Sequence, residues 1–194
     1  MSASKVITQT LVGGIICIGV LYYAGFFGEK KDPYNDVIAS YPSQEREFVN
    51  LLTSYIAKTK KADNDLQIAS LKSERDSRIC EIIKTNKNAI NWSGVIRDLN
   101  SNQDGKGVIS VEIAKGVTLK TWNNSFSDTG DETLIPQETP LFKEALSLKI
   151  GDNIKFSGEF ITRRNECFRE VSMTQNGGMK EPEFIFKFSN LSEL

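Results

Sequence analysis

Along the chain the spacing of apolar positions changes character three times. From Leu11 to Phe27, LVGGIICIGVLYYAGFF, no charged or amide side chain interrupts the run, and the window from Val6 to Gly28 is uncharged throughout. A helix of about 20 residues crosses a bilayer core about 30 Å thick while satisfying its own backbone amides. Residues 1–28 therefore read as a single N-terminal transmembrane anchor. Tyr22, Tyr23, Phe26 and Phe27 stand where a signal peptidase would need small residues, so the segment reads as an uncleaved signal anchor. The two tyrosines suit the headgroup boundary, with ring in the apolar layer and hydroxyl in water.

Residues 29–42 carry Pro33, Asn35, Asp36 and Pro42 and read as a linker. Over 43–85 the period becomes helical. Phe48, Leu52, Tyr55, Ala62, Leu66 and Ala69 share one stripe, and Ile68, Leu71, Ile79, Ile82 and Ile83 continue it. One long or bent amphipathic helix packed on the following domain is expected. A membrane-proximal coiled coil is the alternative, although no strict heptad is sustained.

Over 90–190 the period is that of strands. Trp92, Val95 and Leu99 lead into the turn Asn100 to Gly107, after which Ile109, Val111 and Ile113 alternate with Ser110 and Glu112. Lys115-Gly116 turns the chain into Val117, Leu119 and Lys120, completing a three-stranded meander. A long loop over 123–140 precedes a short helix, Leu141 to Leu146, with Pro140 at its start. Ile154, Phe156, Gly158 and Phe160 mark a fourth strand, Phe168 to Thr174 a fifth, and Phe184 to Phe188 a sixth candidate on an edge. Three strands, a helix and two strands is the order of a Greek-key OB barrel. The predicted fold is thus mainly β with an N-terminal helical part: a single transmembrane helix, an amphipathic helix, then a five- to six-stranded OB-like barrel.

The strings Trp92-Ser93-Gly94-Val95-Ile96, Asp104-Gly105-Lys106-Gly107, Thr121-Trp122-Asn123-Asn124, Gly151-Asp152-Asn153-Ile154-Lys155-Phe156-Ser157-Gly158 and Glu181-Pro182-Glu183-Phe184 add a family likeness. Together they resemble a group of uncharacterised bacterial proteins with an N-terminal membrane helix and a C-terminal OB-like domain, akin to the tRNA-anticodon-binding-like OB domains. The resemblance covers about residues 65 to 190. It implies the barrel and a place in the bacterial inner membrane. It implies no tRNA binding, because OB barrels serve many ligands.

Composition then narrows the function. The 194 residues hold 24 Lys+Arg against 25 Asp+Glu, a formal net charge of −1. Nucleic-acid affinity comes largely from clustered cations, so nucleic acid is not the expected ligand. Histidine is absent from the sequence. That removes the commonest general base, the commonest metal ligand and every Ser-His or Cys-His nucleophile. Asp128, Asp131 and Glu132 gather in the long loop, but no reaction follows from them alone, and neither an enzyme nor a cofactor is expected. Asn100-x-Asn102-x-Asp104-Gly105 approaches a calcium loop yet places Val111 where a bidentate Glu is required, so it reads as a hairpin turn and no metal is expected.

Cys80 and Cys167 fall near the end of the helical segment and just before the predicted fifth strand. Joined, they would staple helix to barrel, worth about 4 to 5 kcal/mol on a chain-entropy view of so long a loop. Lys5 before the anchor and Lys30 and Lys31 after it nearly cancel as topology signals. The side of the membrane therefore rests on the disulfide, which belongs to an oxidising compartment such as the periplasm. For ligand binding, Lys120, Trp122, Asn123, Asn124, Phe126, Arg163 and Arg164 form the candidate face: a stacking surface, amide groups and positive charge. Against this stands a plainer reading, with Trp122 in the core and the arginines solvated. The expected role is a non-catalytic anchored module that meets the bilayer through its helix and binds a protein, peptide or glycan. A cytoplasm-facing module for single-stranded nucleic acid is the alternative.

Overall fold

The computed structural model describes residues 34–194, apart from Asn165 and Met173. The anchor at 1–28 lies outside the described residues. Among those described, no helix is long and apolar enough to cross a membrane.

Three helices come first: α1 (Tyr34–Ser40), α2 (Ser43–Thr59) and α3 (Asp65–Thr85). Strands β1 (Asn88–Ser101), β2 (Gly107–Ala114) and β3 (Val117–Lys120) follow, then α4 (Pro140–Leu146), β4 (Asn153–Phe160), α5 (Gln175–Lys180) and β5 (Glu183–Glu193). The five strands close into a barrel in the order β1-β2-β3-β5-β4, with β4 returning to β1. All neighbours are antiparallel except β3 and β5, which run parallel from Thr118 opposite Glu183 to Lys120 opposite Ile185.

The long β1 serves two partners, pairing Trp92 with Phe156 of β4 and Leu99 with Ile109 of β2. Bulges between Ala89 and Trp92 and between Ile96 and Asp98 let it curl around the barrel. Gly158 permits the tightest approach in the wall, because a Cβ there would sit 2.2 Å from the Lys187 carbonyl oxygen. Gly116 makes the β2–β3 turn with φ +77°, a conformation that costs glycine little.

The interior is aromatic. Phe156, Phe186 and Phe188 meet at ring-centroid distances of 4.9 to 5.8 Å. Phe48 of α2 reaches in among Trp92, Phe160 and Phe184 at 5.4, 5.1 and 5.5 Å. A side chain from the helical part thus completes the barrel core, and Val37, Val49, Leu52, Ile79 and Ile83 extend the same cluster.

Several sequence expectations change here. The described part of the 29–42 linker holds α1, with Val37 fully buried and the Tyr41 hydroxyl donating to the Ile113 carbonyl. The segment 43–85 is two helices rather than one. The chain breaks over 60–64, where Asn64 caps α3 by accepting from the Gln67 amide at 3.0 Å. Gln44 at the start of α2 donates to the Asn86 carbonyl just past α3, so the helices run back to back as a hairpin. The described residues of 168–174 form no strand of the barrel. They touch β5 through one bridge, Glu170 to Phe184, while β5 itself closes the barrel instead of lying on an edge. Met173, placed on one face of that expected strand, lies outside the described residues.

Candidate functional site

Three connections are linked in series: the β1–β2 turn at 102–106 bonds to the β3–α4 connection at 121–139, which bonds through one buried carboxylate to the β4–β5 connection at 161–182. The first is an Asx turn. Asn102 Oδ1 accepts from the amides of Asp104 and Lys106 at 3.0 and 2.9 Å, which uses the residues of the near-calcium motif for turn geometry. Ser125 of the second connection donates to Asp104 and accepts from Asn102. Gln137 donates to the Gly105 carbonyl, and Gly107 and Ile135 exchange backbone bonds at 2.7 and 3.1 Å.

Within 121–139 two aspartates organise the backbone. Asp128 is buried and accepts from the Thr133 amide and hydroxyl, both at 2.7 Å, and from the Leu134 amide. Asp131, 6% exposed, accepts from Trp122 Nε1 at 2.9 Å, from Arg163 at 3.0 Å and from Arg169 at 2.9 Å. Burial pushes the Asp131 carboxyl up. The hydrogen bonds from Trp122 and Arg163 and the charges of Arg169 and Arg163 outweigh burial and hold it below the ordinary aspartate value. The Arg169 guanidinium also lies over the Trp122 ring, 5.2 Å from its centroid.

The residues expected to bind ligand divide accordingly. Trp122 and Arg163 are brought together by Asp131, so Trp122 is a half-buried, hydrogen-bonded wall rather than a bare platform. Asn123, Asn124 and Phe126 are exposed beside it, Phe126 at 91%. Asn124 closes its own turn by accepting from the Ser127 amide. Arg164 is exposed next to Arg163. Lys120 lies on the barrel wall, paired with Glu183 at 3.2 Å. Arg169 and the organising role of Asp131 escaped the sequence reading. Neither carries a motif, and Arg169 falls in a stretch whose alternation suggested a strand.

Arg163, Asp131 and Glu132 also line a cleft of about 500 Å³ with Lys87, Glu159 and Lys187. Its cations are matched by carboxylates: Lys87 with Glu159 at 2.5 Å and Lys187 with Glu132 at 3.3 Å. Among the described residues no group of acidic or cysteine side chains is arranged to hold a metal ion.

The β4–β5 connection is fastened to the helical hairpin. Cys80 of α3 and Cys167 stand at disulfide bonding distance, with Cα atoms 5.3 Å apart, as their positions in the sequence predict. Beside them Arg75, 1% exposed, donates to both oxygens of Glu170 at 3.0 and 2.7 Å and to the Gly178 carbonyl at 3.0 Å. Burial works against the Arg75 charge, but the carboxylates of Glu170 and Asp76 more than restore it and its pKa is raised.

A second buried carboxyl docks the helices on the barrel. Glu45 of α2, fully buried, accepts from the Ser93 amide at 3.0 Å through both oxygens. Burial pushes its pKa up to about 9, against smaller opposing effects of the Ser93 amide and Arg46, so it is uncharged at neutral pH.

Compared with known proteins, the chain matches no family model and no curated protein sequence.

Proposed function

We propose that this chain is a non-catalytic binding module of the OB type, anchored in the bacterial inner membrane by residues 1–28, with its barrel facing the periplasm and its loop face recognising a protein, peptide or glycan. One observation carries the reading. Two connections converge on Asp131, which pairs with Trp122, Arg163 and Arg169, and next to that base stand the exposed side chains of Phe126, Asn123 and Asn124. A fixed base with an exposed aromatic and amide rim suits a macromolecular surface, where aromatic anchors supply area and amides supply hydrogen bonds. The family likeness described above belongs to the same proposal. Support for the periplasm comes from Cys80 and Cys167, since a bond between them persists in an oxidising compartment.

Single-stranded nucleic acid is the second reading, and the ion pairs weigh against it. Lys120 is matched by Glu183, while Arg163 and Arg169 share Asp131, so little cationic charge is left over for phosphates. Two measurements test the proposal. A reporter active only in the periplasm, fused after Leu194, lights up on this reading and stays dark if the barrel is cytoplasmic. Full-length protein in detergent retains a discrete partner that Phe126→Ala loses without a change in melting. Retention of single-stranded oligonucleotides at low salt instead selects the second reading.

A further inference from the structure

The β4–β5 connection delivers Arg163, Arg164 and Arg169 to the loop face, yet it has little ladder of its own. Its hold on the protein falls into two halves. The downstream half, 168–171, has redundant ties. Phe168 packs edge-on against Phe184 at 5.4 Å, the Val171 amide donates to the Glu183 carbonyl, and the Ile185 amide donates to the Arg169 carbonyl, both at 2.8 Å. Glu170 adds the buried pair with Arg75. The upstream half, 162–167, has fewer. Arg163 and Glu166 close a local turn by exchanging backbone bonds, which restrains the turn but not its position. Among its described residues, the side-chain ties to the rest of the protein are the Arg163–Asp131 pair, with the Arg163 side chain 47% exposed, and the Cys80–Cys167 link. The Asp131 end of that pair is buried but the Arg163 end is half in water, which screens the pair and leaves the covalent link the stronger tether of this half.

That link is reachable. Cys80 and Cys167 are both half-buried and line a cleft of about 840 Å³, with Lys72, Asp76, Glu166 and Arg169 on its walls. We infer that the Cys80–Cys167 disulfide is a reducible positioning device for the loop face, opened by a protein dithiol that enters this cleft. This inference rests on the binding role proposed above for that face. In the reaction a thiolate of the dithiol attacks one sulfur, breaking the Cys80–Cys167 bond and forming a mixed disulfide. The second thiol of the reductant then displaces the remaining cysteine. Overall two electrons and two protons pass to Cys80 and Cys167, which become thiols, and the reductant leaves as a disulfide. Residues 162–167 are then free to carry Arg163 and Arg164 off the Asp131 base, while 168–171 and the barrel stay in place.

Amide hydrogen exchange on the full-length protein in detergent, oxidised and after treatment with a thioredoxin-type dithiol, tests this. Alkylation counts the freed thiols. Reduction should accelerate exchange over Thr162 to Cys167 by about tenfold or more, leave Phe184 to Phe188 unchanged, and reverse on reoxidation. Unchanged exchange with both thiols freed would overturn the inference. So would acceleration spread through the barrel strands, or a disulfide that the dithiol leaves intact in the folded protein. The variant C80S/C167S should reproduce the reduced pattern. If that variant does not fold, the dithiol treatment of the native protein still decides. Exchange is read without ligand, so failure of the device is separate from failure of the loop face to bind, which Phe126→Ala reports.

Discussion

Along β4 and β5 the chain is held by an antiparallel ladder running from Ile154 opposite Glu193 to Phe160 opposite Phe186, with one bulge, and Phe156, Phe160, Phe186 and Phe188 are buried within a few ångströms of one another. Between those same strands, the described residues of 162–167 are held to the rest of the protein chiefly by two groups: one disulfide and one shared aspartate. In the first region each contact is backed by many others, so order is a collective property. In the second, removing one group removes a definite part of the order. The segment that brings Arg163 and Arg164 to the proposed binding face is therefore the one whose position is most easily altered.

Substitutions sharpen this contrast. Phe160→Ala, which empties a buried site among Phe48, Trp92, Phe184 and Phe186, should cost about 4 kcal/mol and lower the whole denaturation midpoint. Glu170→Ala removes the two-point partner of the buried Arg75 guanidinium and leaves it with the carboxylate of Asp76. It should cost about 3 kcal/mol in chemical denaturation, and Arg75→Met combined with Glu170→Met should recover much of that loss. Full loss in the double variant would show that packing, not the lost charge pairing, sets the cost.

The helix–barrel contact differs again, because it holds a carboxyl that burial keeps protonated. Glu45 titrates near 4.5 when unfolded and at about 9 when folded. Below the lower value both states are protonated and stability is at its fullest. Between the two, the unfolded chain gives up a proton that the folded chain retains, so stability falls as pH rises and levels off above the upper value. Glu45→Gln should flatten that fall and gain about 2 kcal/mol at pH 7 relative to the parent protein. Parallel pH profiles for the two proteins would remove Glu45 from the account. The smallest expected effect on stability is at the rim, where Phe126→Ala should shift unfolding by less than about 0.5 kcal/mol, since the ring is almost wholly exposed.

What the sequence showed and hid follows the same division. The alternation of Ile109, Val111 and Ile113 was legible because one face of β2 is buried throughout, and Gly116 marked a turn that needs positive φ. Cys80 and Cys167 were legible as a pair because the fold expected from the pattern put them on adjoining elements. The break at 60–64 was hidden, because Lys60 and Lys61 are good helix formers and the signal lies in the single cap Asn64. Helix α1 was hidden between two prolines with one buried residue, Val37, and α5 behind Gly177 and Gly178, which favour helix poorly. The stretch 168–174 has a strand's alternation, but it reaches only the edge of β5, and no local pattern distinguishes that from barrel membership. Glu45, Arg75, Asp131 and Arg169 were invisible as a class. Each is an ordinary charged residue until tertiary structure buries it or supplies its partner.

The most direct test of the central claim places a photoreactive phenylalanine analogue at position 126 of the full-length chain in intact membranes, with position 66, also strongly exposed, as control. A binding loop face gives a discrete protein or glycan adduct from position 126 that position 66 does not give. No adduct from position 126, or the same adduct from both positions, would contradict that claim.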